Sequence, residues 1–86
     1  KGDLVIVISS SGQSKNIINA ALKAKKMSLG LITLSGFSKD NPLRSIGDIN
    51  LWVDSEHYNV VETAHQAWLL SVVDYIVSGK LKKEEI

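Results

Sequence analysis

The feature that most constrains this chain is an abrupt change of chemistry between Leu4 and Ser14, where the sequence reads LVIVISSSGQS. Five consecutive apolar residues, four of them β-branched, stop at a cluster of serine, glycine and glutamine. Apolar residues at successive rather than alternate positions predict a strand buried on both faces of a parallel sheet, with helices on both sides. An alanine-rich stretch with helical spacing follows, so the polar cluster is a turn between strand and helix. In an open parallel sheet, a turn at a strand's carboxyl end is where ligands bind.

The rest of the chain supports that setting. From Ser14 to about Met27, the residues Ile17, Ala20, Ala21, Ala24 and Met27 recur at helical spacing and predict a packing face of small side chains. Lys23, Lys25 and Lys26 crowd the last turn, where cations complement the helix dipole. Leu29 to Leu34 forms a second apolar run, closed by Ser35 and Gly36. A strand, a helix and a strand make a right-handed βαβ unit, with both carboxyl ends on one rim.

Phe37 to Ile46 reads as a loop with one helical turn at Pro42. Asp48 to Val53 predicts an edge strand, Ile49, Leu51 and Val53 on one face and Asn50 and Trp52 on the other, with Trp52 packed beneath a helix. After a polar segment, a long apolar helix is expected from Val60 to Val77, covered on more than one side, ended by Gly79 and followed by a frayed tail. The fold class is therefore α/β.

Composition narrows the function. At 86 residues the chain is one small domain, and it opens on Lys1-Gly2-Asp3 with a strand almost at once. It reads as a segment of a longer protein. Ten basic and nine acidic residues leave a net charge of +1, which does not support a nucleic-acid partner. The absence of cysteine excludes thiolate metal sites, and no apolar run approaches the roughly 20 residues a bilayer span needs. A cytoplasmic protein without a membrane partner is expected.

Ser9, Ser10, Ser11 and Ser14 place four hydroxyls within six residues, each able to donate to an anionic oxygen. Gly12 lets backbone amides approach closely, and the free N–H groups of the helix start complete an anion site. Ser10 and Gln13 also satisfy a capping box, but one cap accounts for one serine. Neither the Walker loop nor the dinucleotide fingerprint is present. A nucleophile elbow would need glycine where Ile8 stands.

The run IVISSSGQSKNIINAALKAKKMSLGLITLSG resembles the core of the sugar isomerase (SIS) domain, whose strand ends in I-S-x-S-G-x-S and whose next strand ends in T-x-G. The later segment resembles the phosphoheptose (sedoheptulose 7-phosphate) isomerases, which carry glutamine or a similar residue shortly before a histidine on the long helix. Here those positions are Glu62 and His65. The resemblance implies a three-layer, flavodoxin-like parallel sheet with flanking helices, of which this chain is about the carboxyl-terminal half. It also implies that Ser9, Ser10, Ser11 and Ser14 hold a sugar phosphate.

Glu62 and His65 share one helix face by their spacing. On spacing alone they read as part of a polar flank with Glu56, His57, Asn59 and Gln66. With the resemblance, His65 becomes the acid or base of an aldose-ketose isomerisation, and Glu62 its partner, or both become zinc ligands. The family's further catalytic glutamate and histidine would lie upstream, so the segment alone is expected to be inactive. The resemblance further implies a homo-oligomer, a tetramer, with Trp68, Leu69 and Leu70 as contacts. A non-catalytic phosphosugar-sensing or assembly module is the alternative.

Overall fold

The computed structural model describes residues 3 to 85, and the side chains of residues 3 to 77. Its elements are β1 (Leu4–Ile8), α1 (Lys15–Lys26), β2 (Gly30–Ser35), a 3-10 turn (Pro42–Ser45), β3 (Ile49–Trp52) and α2 (Tyr58–Glu85). The sheet is parallel in the order β1-β2-β3, with Ile6 beside Ile32 and Ile32 beside Ile49. This is the expected α/β architecture, with β3 at an edge.

Both crossovers step in the same direction along the sheet, so right-handedness puts α1 and the 3-10 turn on one face. There Val7, Ala21, Ala24, Leu31 and Leu43 form the core, flanked by Val5, Ile17, Leu29 and Ile46. Ala21 and Ala24 let α1 lie close to the strands, whereas Ala20 and Met27, expected on the same stripe, are exposed. Pro42 begins the 3-10 turn as expected, and Arg44 on that turn lies 4.2 Å over the Trp52 ring. Trp52 thus packs under a cation at the edge strand rather than under an α-helix.

Four expectations are corrected. β1 is buried on one face only: Val5 and Val7 point inward, while Leu4, Ile6 and Ile8 are 60%, 41% and 40% exposed. The cause is the path of α2, which meets the second face at the carboxyl rim through Val61 and His65 and leaves its lower part open. The long helix is likewise uncovered on most of its apolar surface, with Leu70, Val72, Val73, Ile76 and Val77 at least half exposed. At 28 residues it is about 42 Å long, while a six-residue strand spans about 20 Å, so much of it passes beyond the sheet.

Gly79 does not end α2, and the tail is helical to Glu85. One glycine costs a helix about 1 kcal/mol, too little to stop it when lysine, leucine and glutamate follow. The capping box is also absent: α1 begins after Ser14 as N-cap, and the Ser14 side chain makes no capping bond.

The rim is tight at Gly36. A Cβ there would lie 2.7 Å from both Val61 methyls and 3.0 Å from the Ser10 carbonyl oxygen. Gly36 is what lets α2, β2 and the serine loop converge. Gly36→Ala is expected to lower stability by about 1 to 3 kcal/mol, measured by denaturant unfolding. An unchanged midpoint would mean that Val61 and Ser10 move apart at no cost.

Candidate functional site

The serine loop leaves β1 with its first residue still in the ladder, Ser9 N–H donating to the Leu34 carbonyl at 3.0 Å. Ser9 is buried, and its hydroxyl oxygen accepts the Gly12 N–H at 3.1 Å. Ser11 Oγ accepts the Gln13 N–H at 3.2 Å. Both hydroxyls spend lone pairs inside the loop, which leaves their hydrogens available as donors. Ser14 is exposed at the N-cap with its side chain uncommitted, so the first amides of α1 have no side-chain partner there.

Gly12 makes the turn possible. Its φ is +70°, and a Cβ would lie on the Asn41 side chain. Asn41 is buried, and its Oδ1 accepts the Arg44 N–H at 2.9 Å, capping the 3-10 turn. Its amide nitrogen faces Ser35 Oγ, the Gly36 carbonyl and the Ser38 carbonyl at 3.0 to 3.1 Å. Leu43 N–H donates to the Gly12 carbonyl at 3.1 Å, closing the loop against the 3-10 turn. Sequence reasoning passed over Asn41. The Asn-Pro pair at 41 and 42, a turn-initiating dipeptide, was the signal that could have found it.

A cleft of about 380 Å³ opens beside the loop, lined by Ile8, Ser10, Glu62, His65, Gln66 and Leu69. Three of the candidate residues meet here. Ser10 donates to Glu62 Oε2 across 3.4 Å. His65 is 2% exposed, and its Nε2 lies 2.9 Å from the Ser35 carbonyl oxygen. A carbonyl only accepts, so Nε2 carries the hydrogen, and in the neutral ring Nδ1 then keeps its lone pair. Nδ1 is buried without a partner, and the ring stacks on Trp68 at 6.0 Å between centroids. Ser9, Ser11 and Ser14 do not line this cleft, and Ser10 is the loop serine that does.

The imidazole Nδ1 and the Glu62 carboxylate are donor types that zinc accepts. Among the described residues there is no group of three or more His, Cys, Asp or Glu that could hold a metal. The described residues therefore offer fewer donors than the three that a catalytic zinc site takes from protein. Also among the described residues, no helix is long and apolar enough to cross a membrane.

Fold and site together define a parallel α/β domain whose carboxyl rim sets a hydroxyl-rich strand-to-helix loop beside a cleft holding a carboxylate and an imidazole. Known proteins are similar to this chain. The chain is 40% identical over 65 residues to the phosphoheptose isomerase of Campylobacter concisus, covering 74% of this chain and 33% of that protein. It is 32% identical over 83 residues to the phosphoheptose isomerase of Sulfurimonas denitrificans, covering 96% of this chain and 40% of that protein. A third relative is an uncharacterized HTH-type transcriptional regulator of Caldanaerobacter subterraneus, 35% identical over 78 residues, covering 88% of this chain and 27% of that protein. No family model and no solved structure matches the chain.

The chain resembles the carboxyl-terminal part of the phosphoheptose isomerases, as the segment holding Glu62 and His65 implied. It spans 33% to 40% of the length of the two isomerases above. The tautomer of His65 gives a direct check on the cleft. At neutral pH the ring nitrogens, observed by two-dimensional NMR, are expected to show a protonated Nε2 and an unprotonated Nδ1. A protonated Nδ1 beside an unprotonated Nε2 would contradict the bond to Ser35.

Proposed function

We propose that this chain is the phosphosugar-binding portion of an isomerase acting on a phosphorylated seven-carbon sugar of the sedoheptulose 7-phosphate type. The observation that carries this reading is the division of polarity along the rim. Ser11, Ser14 and the N-terminus of α1 present donors and the positive end of a helix dipole, suited to a phosphate. Glu62 is bonded to Ser10 in the cleft, which Ser11 and Ser14 do not line, and its carboxylate would repel a phosphate there. A sugar phosphate then binds in one sense, its anion at α1 and its hydroxylated end toward Glu62 and His65.

Aldose-ketose isomerisation moves a proton between adjacent carbons through an enediol. His65 Nδ1 would accept the proton from the carbon next to the carbonyl, the hydroxyl proton on that carbon would pass to the former carbonyl oxygen through the enediolate, and the imidazolium would return its proton to the former carbonyl carbon. The bond from Nε2–H to Ser35 fixes the ring during both transfers, and Glu62 orients a substrate hydroxyl. If the same two groups instead hold zinc, which supplies a Lewis acid at the carbonyl, proton transfer falls to residues beyond this chain. We place the whole protein in the cytoplasm, as a homo-oligomer of tetrameric type serving surface-polysaccharide sugar synthesis.

The similarity to a transcriptional regulator over 88% of the chain favours a second reading, a module that senses a phosphosugar without converting it. Both readings use the serine loop, and only the first needs His65 as a base. In the full-length protein, Ser11→Ala with Ser14→Ala is expected to weaken sedoheptulose 7-phosphate binding roughly tenfold or more by calorimetry. His65→Ala is expected to abolish turnover with binding largely kept. Tight binding with no turnover by the parent protein would select the sensing reading, and unchanged affinity in the serine variant would remove the phosphate assignment.

A further inference from the structure

Asn41 does more than a cap requires. The N-cap of a short helix needs one acceptor, which Oδ1 supplies to the Arg44 N–H. Aspartate or serine would serve equally well there. The amide nitrogen is the unexplained half: its two hydrogens are shared among Ser35 Oγ, the Gly36 carbonyl and the Ser38 carbonyl. With the side chain 3% exposed, water does not replace these contacts. Its orientation is fixed, since flipping the amide would set its oxygen against the Gly36 and Ser38 carbonyl oxygens.

The two ends of Asn41 reach the two halves of the site. One side lies against Gly12, whose missing Cβ leaves the space, and Leu43 two residues later bonds the Gly12 carbonyl. The other side holds Ser35, whose carbonyl receives His65 Nε2–H. We infer that Asn41 is a positioning residue that sets the serine loop and His65 in register with each other. It touches neither cleft nor ligand, and its effect passes through Gly12 and Ser35. The consequence for ligand binding rests on the phosphosugar reading above, while the coupling itself does not.

The test uses Asn41→Ser and Asn41→Asp in the full-length protein, both of which keep a capping oxygen and lose the amide donors. The expected result is that the Gly12 amide and the His65 ring-nitrogen resonances shift together, with far-UV circular dichroism unchanged. Affinity for inorganic phosphate, measured by calorimetry, is expected to fall about tenfold. A cap without a coupling role would leave both resonances in place, and that outcome overturns the inference even if the melting temperature drops. If the parent does not bind phosphate, the phosphosugar reading fails and the paired resonances still decide the role of Asn41. Should both variants fail to fold, Ser35→Ala removes the Oγ acceptor alone. A smaller shift at both resonances then supports the coupling, and no shift at either refutes it.

Discussion

The Ser35 carbonyl is the point on which the carboxyl rim depends. It accepts the Val53 N–H at 3.0 Å, which ties in the segment after β3, and the His65 Nε2–H at 2.9 Å, which ties in α2. Both lone pairs are used, so the oxygen is fully satisfied in a place that water does not reach. β2 is the strand paired on both sides, and its end is therefore the most rigid position from which a helix could be hung. Glu62, one helical turn before His65, is aimed at the serine loop by the same anchor. A bond that looks structural thus sets the spacing between carboxylate, imidazole and hydroxyls.

Much of this was legible because the underlying rules are local. Consecutive apolar residues followed by hydroxyls and Gly12 mark a strand ending in a turn, and Gly12 does adopt a positive φ. The alternation of Ile49 and Leu51 with Asn50 and Trp52 identified an edge strand, and Pro42 a helical start. What misled was the assumption that apolar residues are covered within the chain. Leu4, Ile6 and Ile8 match a doubly buried strand in sequence, yet one of their faces meets solvent here. Periodicity reports that a side chain is apolar, not which element lies above it.

The site was legible by residue type more than by geometry. Ser10 was named with the serine loop and Glu62 and His65 as a pair on a helix, and the three do meet, though Ser10 and Glu62 are 52 residues apart in sequence and only the fold joins them. Ser9 carries a different load from the other serines, since burial and the Gly12 N–H hold its oxygen inside the loop. Asn41 escaped because its importance lies in contacts with Gly12, Ser35, Gly36 and Ser38. Those contacts arise from a left-handed turn and a strand end brought side by side, a juxtaposition no short sequence window contains.

The open apolar surfaces and the cleft are one question rather than two. Ile8 is the last residue of the exposed face of β1 and also a wall of the cleft. Leu69 lines the cleft from α2, immediately before Leu70 and the exposed stripe that continues to Val77. Contiguous apolar surface of this kind is characteristic of places where another protein surface packs. A chain laid against these faces would close the cleft along the edges that Ile8 and Leu69 now leave open, and would strengthen every electrostatic contact inside by excluding water. Exclusion of water there would act on an imidazole that the Ser35 carbonyl already holds in place.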